Sequence, residues 1–322
     1  MRYLSVFKRL IAFIILAAGS FVSAQQSDLQ GRSELAYAAN IQLEFLASHQ
    51  SLAPGESLDL ALRILPDENW HIYWKNPGDT GLPTKVEWQE SELLSYSELD
   101  WSAPYRADYQ GFINYGYYGE TYIFSSVRVS ESAPIGQPLR LGGRVDWLIC
   151  EEICIPGNAT LELEVMVSEQ SVESPWSSDV AEARDQLPIS LGTLPGSYRT
   201  DGEFQLSVQL PEELQGLEPV GFFPISQKLV NNLPTPVLSK PQDNTLLIST
   251  ENALNPSDYP LFFEGLVQFE NPQGVQFNYE FEVEADPSVT INSSSEPADN
   301  LPFALILIFA LLGGLILNLM PC

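Results

Sequence analysis

Short runs in which apolar and polar residues alternate recur from residue 35 to residue 167, and a period of two restricts them to half-buried strands. The runs "IQLEFLASH", "SLDLALRI" and "TLELEVMV" are separated by clusters of Pro, Gly, Asn and Asp. Strands this short, spaced by turns, predict a β-sandwich. The segment "SPWSSDVAEARDQLP" breaks the pattern and predicts one helix over 174–187, with Ser174 as N-cap, Pro175 at the first helical position and Pro188 as the stop. A second strand-rich block follows from about 203 to 284, clearest in "EFQLSVQL", "TLLIST", "LFFEGLVQF" and "VQFNYEFEVEA". No short-period repeat is present, and "DPSVTINSSSEPADN" is a polar linker. The fold class is mainly β: one sandwich, then a second β-rich domain.

The two ends of the chain carry a different signal. "MRYLSVFKRL" is a positive leader, "IAFIILAAGSF" an apolar core and "VSA" a small-residue cleavage pattern, so 1–24 is expected to be a signal peptide. At the other end "LPFALILIFALLGGLILNLMPC" offers the roughly 20 apolar residues that a transmembrane helix needs. It stops on Pro-Cys without a basic flank, so the chain is expected to be the front part of a longer membrane protein. The formal net charge is −27 although the leader itself is basic. Such a surface cannot neutralise phosphates, which excludes nucleic acid as a partner.

Chemistry concentrates in "VDWLICEEICIPGNATLELEV", which holds two of the three cysteines, Cys150 and Cys154. The flanks are strand-like, so Glu151, Glu152 and Ile153 form a connection that sets the cysteines opposite each other, within disulfide reach. Three readings stay open. A structural staple is one, although a small ring constrains the unfolded chain little. An exchangeable redox pair is the second, and a Cu(I) site on two thiolates the third. The neighbouring glutamates oppose thiolate formation, which makes these cysteines poor first attackers while leaving their disulfide open to another thiolate.

Other candidates carry less. His71, in "NWHIYW", is read as a partly buried structural histidine, and His49 as exposed. With two histidines in all, a Ser-His-Asp hydrolase or a His-ligated zinc enzyme is improbable. Asp79 serves a turn in "NPGDTG", and Trp70, Trp74, Trp88 and Trp147 are core or sheet aromatics. No phosphate-cradling glycine motif occurs.

The stretches "NWHIYWKNPGDTGLPTKVEW", "GYYGETYIF" and "VDWLICEEICIPGNATLEL" resemble the periplasmic N-terminal region of the DsbD/ScsB thiol:disulfide interchange family, and "GGLILNLMPC" resembles the start of its membrane domain. The resemblance covers about 33–166 and 301–322 and is weak over 197–285. It implies an immunoglobulin-like redox domain over 25–167 and the first membrane segment over 301–322, while the residue pattern itself gives a helical linker over 168–196, a second β domain over 197–285 and a polar linker over 286–300. It implies a protein-disulfide reductase of the bacterial inner membrane, with the bulk of this chain in the periplasm. By position, Cys150 and Cys154 match the family's periplasmic pair and Cys322 its first membrane cysteine. Electrons would come from cytoplasmic thioredoxin through the protein's own membrane domain and pass to periplasmic thiol-disulfide proteins, in processes such as cytochrome c assembly or copper tolerance. No cofactor is implied beyond the cysteine pair. Tyr117 or Tyr118 is the candidate for the family's aromatic cap loop, against the alternative of a core strand aromatic. The second β block favours the ScsB-like, copper-sensitivity branch. The competing function is a membrane-anchored binding module with an inert disulfide and copper as its ligand.

Overall fold

The computed structural model describes residues 30–109, 111–200, 203–240, 244–253 and 260–285. The expected leader over 1–24, the linker over 286–300 and the apolar segment over 301–322, with Cys322, lie outside them. Among the described residues no helix is long and apolar enough to cross a membrane.

The first block is a sandwich of two sheets. One is six-stranded, in the order Ala36–Ala38, Ile41–Ala47, Ser57–Pro66, Thr121–Val129 and Leu94–Tyr96, with Asp100–Trp101 also on Thr121–Val129. The other is eight-stranded: Val172–Glu173, His49–Leu52, Cys154–Val167, Pro138–Cys150, His71–Gly78, Phe112–Tyr118 and Tyr105–Tyr109, with Lys85–Trp88 also on Pro138–Cys150. The alternation in the sequence becomes the core. Leu161, Leu163, Val165 and Val167 face inward while Glu162, Glu164 and Met166 face water, and Leu58, Leu60, Leu62 and Ile64 close the opposite wall. Each such side chain contributes about 1.5–3 kcal/mol by leaving water. Trp74, Phe45 and Phe124 are the largest fully buried side chains of this half. One acid is buried as well: Glu44 meets both Arg32 and Arg63.

The helix is shorter than the sequence predicts, Ser177–Arg184 rather than 174–187. Ser174 does not cap it, because the Ser174 hydroxyl donates to Ala47 O, 2.5 Å away, while accepting from Trp176 N. A tertiary bond thus takes the group that would have started the first turn, and Pro175 and Trp176 form a turn instead. Val180 and Ala183 pack the helix on Leu46, Ala61 and Phe124 of the first sandwich.

The second block is a smaller sandwich. One four-stranded sheet runs Ile189–Thr193, Gln276–Glu284, Phe262–Glu270, Glu218–Pro224, and the other runs Gly196–Arg199, Phe204–Gln209, Thr245–Thr250, Val237–Ser239. It therefore begins at Ile189, inside the segment expected to be a linker. Ile189–Thr193 is a largely exposed edge strand, so it has no apolar alternation to announce it. The two cores touch: Phe223 and Leu266 belong to the core of the first sandwich. Phe223 stands edge-on to Tyr115 and Trp74, with centroids 5.6 and 6.4 Å away. Polar ties flank this contact, with Asn76 Nδ2 donating to Pro224 O at 2.6 Å and Lys75 Nζ 2.7 Å from Glu280.

Candidate functional site

The longest ladder among the described residues ends at the cysteines. Pro138–Cys150 and Cys154–Val167 pair without interruption from Pro138 opposite Met166 to Cys150 opposite Cys154. Glu151, Glu152 and Ile153 make the tip, tightened by Glu151 N donating to Ile153 O. The register alone brings the sulfurs together: Cys150 and Cys154 are joined as a disulfide, with Cα atoms 4.1 Å apart.

The two sulfurs have different surroundings. Cys150 is 2 % exposed, whereas Cys154 is exposed. On the other side of Cys150 lies His71–Gly78, with His71 directly opposite Cys150. Residues two apart on a strand share a face, so Tyr73 follows His71 along the same face. The Tyr73 hydroxyl donates to Cys150 Sγ at 3.1 Å and stands 3.9 Å from Cys154 Sγ. Burial raises the Tyr73 pKa above the ordinary phenol value, so the hydroxyl stays a donor throughout the neutral range.

His71 is 6 % exposed, and its ring lies 5.2 Å from that of Tyr73 and 5.1 Å from that of Tyr118. Its buried Nε2 has no hydrogen-bond partner. Desolvation lowers its pKa, so the imidazole is held neutral. Tyr118 lies opposite His71 in the next strand and is 47 % exposed, at the rim of the site. Tyr117 points the other way: it is buried, and its hydroxyl donates to Ser102 O at 2.7 Å. Ile153, 66 % exposed, crowns the hairpin tip.

A loop packs against the ring of Tyr73. Gly81 adopts φ +92° and lies flat on the Tyr73 ring, where a Cβ would come within 2.2 Å of Cε1. Asp79 at the root of this loop does more than turn the chain: one carboxylate oxygen accepts from Ile113 N at 2.7 Å and the other from Asn232 Nδ2 at 2.8 Å, in the second sandwich.

Of the residues singled out in the sequence, the structure brings together Cys150, Cys154, His71 and Tyr118, and places Tyr117 in the core. His49 pairs with Ser48 Oγ. Trp74 and Trp147 contribute to the first core, with Trp70 and Trp88 partly buried and packed against it. Tyr73 was missed, although its signal lay in "NWHIYW": an aromatic two residues from His71 must face the same way. Among the described residues no group of three or more His, Cys, Asp or Glu could hold a metal ion.

Residues 42–165 match the family described as thiol:disulfide interchange protein DsbD, N-terminal. No curated protein matches the chain by sequence. Among solved structures, the N-terminal periplasmic domain of ScsB from Proteus mirabilis superposes with a TM-score of 0.56 at 16 % identity, covering 80 % of this chain and 100 % of that one. This likeness extends over both sandwiches and establishes a shared fold. The GAE domain of yeast GGA1 (TM-score 0.23, 9 % identity, 40 % and 96 % covered) and a Porphyromonas gingivalis W83 protein (0.26, 9 %, 76 % and 100 %) are too distant in shape to inform the argument.

Proposed function

We propose that the Cys150–Cys154 pair is a periplasmic electron carrier that turns over, with Cys154 as the sulfur exchanged between partners, a reading supported by the match of residues 42–165 to the DsbD N-terminal family. The observation that carries this reading is the asymmetry of the bond: an exposed sulfur joined to a buried one that already receives a hydrogen bond from Tyr73.

The steps follow from that asymmetry. The thiolate of a donor dithiol protein attacks Cys154 Sγ, the sulfur it can reach. A bond forms between the donor sulfur and Cys154, the Cys150–Cys154 bond breaks, and the electron pair leaves on Cys150 Sγ. Tyr73 O–H donates to this nascent thiolate and lowers the cost of forming it in a buried position. The donor's second thiolate then attacks its own sulfur in the mixed disulfide and releases Cys154. Two protons come from water. The donor is oxidised to a disulfide, and the pair is reduced to two thiols. With an oxidised acceptor the same steps run in reverse order, Cys154 attacking and Cys150 resolving. The donor on this reading is the family's membrane domain, with Cys322 among its cysteines and cytoplasmic thioredoxin behind it. The acceptors are periplasmic thiol-disulfide proteins. Tyr118, at the rim beside His71, serves as the aromatic cover.

The test separates the two sulfurs. Cys150→Ser leaves the exposed Cys154 free, and Cys154→Ser leaves the buried Cys150 free. With a chromogenic aromatic disulfide as probe, the first variant should form its mixed disulfide at least about tenfold faster than the second, because exchange rates follow access as well as thiolate fraction. Equal rates, or the reverse order, would refute the assignment of Cys154.

A further inference from the structure

The second sandwich has no cysteine among its described residues, yet it reaches toward the redox pair through a continuous set of contacts. Asn232 uses both ends of its side-chain amide. Its Nδ2 donates to Asp79 Oδ1 at 2.8 Å, and its Oδ1 accepts from the Tyr115 hydroxyl at 3.1 Å. Its carbonyl, with that of Leu233, receives Arg106 Nη2 at 2.9 Å. Asp79 is the root of the loop over Tyr73. Its neighbour Thr80 donates through both N and Oγ1 to the buried Asn114 Oδ1, at 3.2 and 2.9 Å. Gly81 then meets the Tyr73 ring so closely that no side chain fits between them. The ring carries the hydroxyl bonded to Cys150 Sγ.

We propose that Asn232 is a positioning residue for the disulfide: by clamping Asp79 it holds Thr80 and Gly81 on the ring of Tyr73 and so keeps that hydroxyl on Cys150. The proposal rests on the exchange reading above and gives the second sandwich a part in it. Cys154 is already exposed, so an attacking thiolate does not need this loop to open. What the loop controls is the departure of Cys150. A tyrosine released from beneath Gly81 no longer meets the leaving sulfur at hydrogen-bond distance, and a buried thiolate without a donor forms at greater cost.

The experiment uses the full chain and two readouts that a purely structural contact would not move. One is the rate constant for reduction of the disulfide by dithiothreitol. The other is the pKa of the Cys150 thiol, measured by alkylation in the Cys154→Ser background. Asn232→Ala should slow reduction roughly threefold to tenfold, the effect of one hydrogen bond, and raise the thiol pKa. Tyr73→Phe should do both, and adding Asn232→Ala to Tyr73→Phe should change neither further. If Asn232→Ala leaves both readouts at their original values while Tyr73→Phe moves them, the coupling to the second sandwich is refuted and the role of Tyr73 stands. If the two substitutions add independently, Asn232 acts by another route and the proposal also fails. If Tyr73→Phe moves neither readout, the stabilisation of Cys150 in the exchange reading fails first. Asn232→Ser, a smaller truncation, gives the same comparison should the alanine variant not fold.

Discussion

Reducing the disulfide should cost the fold little, and the structure sets the size of that cost. The cross-link joins residues only four apart in sequence. For a ring spanning 150–154 the chain-entropy relation gives about 2 kcal/mol of stabilisation, against about 4.7 kcal/mol for a ring of about 100 residues. The native state adds no further need for the bond, because the ladder from Pro138 to Cys150 already holds the cysteines opposite each other. Urea unfolding of the oxidised and reduced protein, followed by tryptophan fluorescence, should therefore differ by about 2 kcal/mol. Thermodynamic closure supplies a second measurement of the same quantity. A bond favoured by about 2 kcal/mol more in the folded than in the unfolded chain has a folded-state reduction potential about 40 mV more negative than that of the unfolded chain. Glutathione titration with and without denaturant reads this difference directly. A stability loss above about 4 kcal/mol, or a folded-state potential below about −300 mV, would mark a structural bond and refute the exchangeable carrier.

Three further outcomes are expected. The lowered pKa of His71 means that the unfolded chain binds a proton the folded chain resists, so its contribution is intact above about pH 6.5 and is lost as pH falls from there through the folded pKa. Urea titrations from neutral to acid pH should show this loss as a difference between the parent and His71→Gln, and parallel curves would count against it. Glu44→Ala strands Arg32 and leaves Arg63 with Glu120 alone; because these arginines keep 23 % and 26 % of their side-chain surface in water, the cost should be about 2–3 kcal/mol, below the range of about 3–5 kcal/mol for a fully buried pair, and a calorimetric change under about 1 kcal/mol would contradict the burial argument. Phe223→Ala should cost about 3–5 kcal/mol in a single unfolding transition, since Phe223 packs against Trp74 and Tyr115 of the other sandwich, whereas two separate transitions would show that the cores are independent.

The β-sandwich and the cysteine hairpin were legible for the same reason. Alternation in "TLELEVMV" reports which face of a strand is buried, and a short connection between two such strands leaves little choice of register. What alternation does not report is the identity of the surface opposite. Tyr73 reads as one more strand aromatic until its neighbour proves to be the strand ending in Cys150. Asp79 reads as a turn residue from its neighbours in "NPGDTG", while both of its carboxylate bonds reach residues distant in sequence, Ile113 and Asn232. Ile189–Thr193 and the start of the helix were misjudged for related reasons. An edge strand exposed on both faces has no period, and Ser174 was claimed by Ala47 rather than by the helix.

The apolar contact at Phe223 also bears on how the molecule is made. A polypeptide emerges from its N-terminus, and domains fold in that order. The strands bearing Trp74 and Tyr115 are therefore complete while Phe223 and Leu266 are still unmade, so the nascent first sandwich presents an open apolar end. The hairpin that joins Cys150 to Cys154 depends on neighbours in sequence and can close during this interval. The Tyr73 hydroxyl gains its full set of supports only when Asn232 arrives. Closure of the cysteine hairpin therefore needs only residues made before Asn232, whereas the support of Tyr73 needs Asn232 itself.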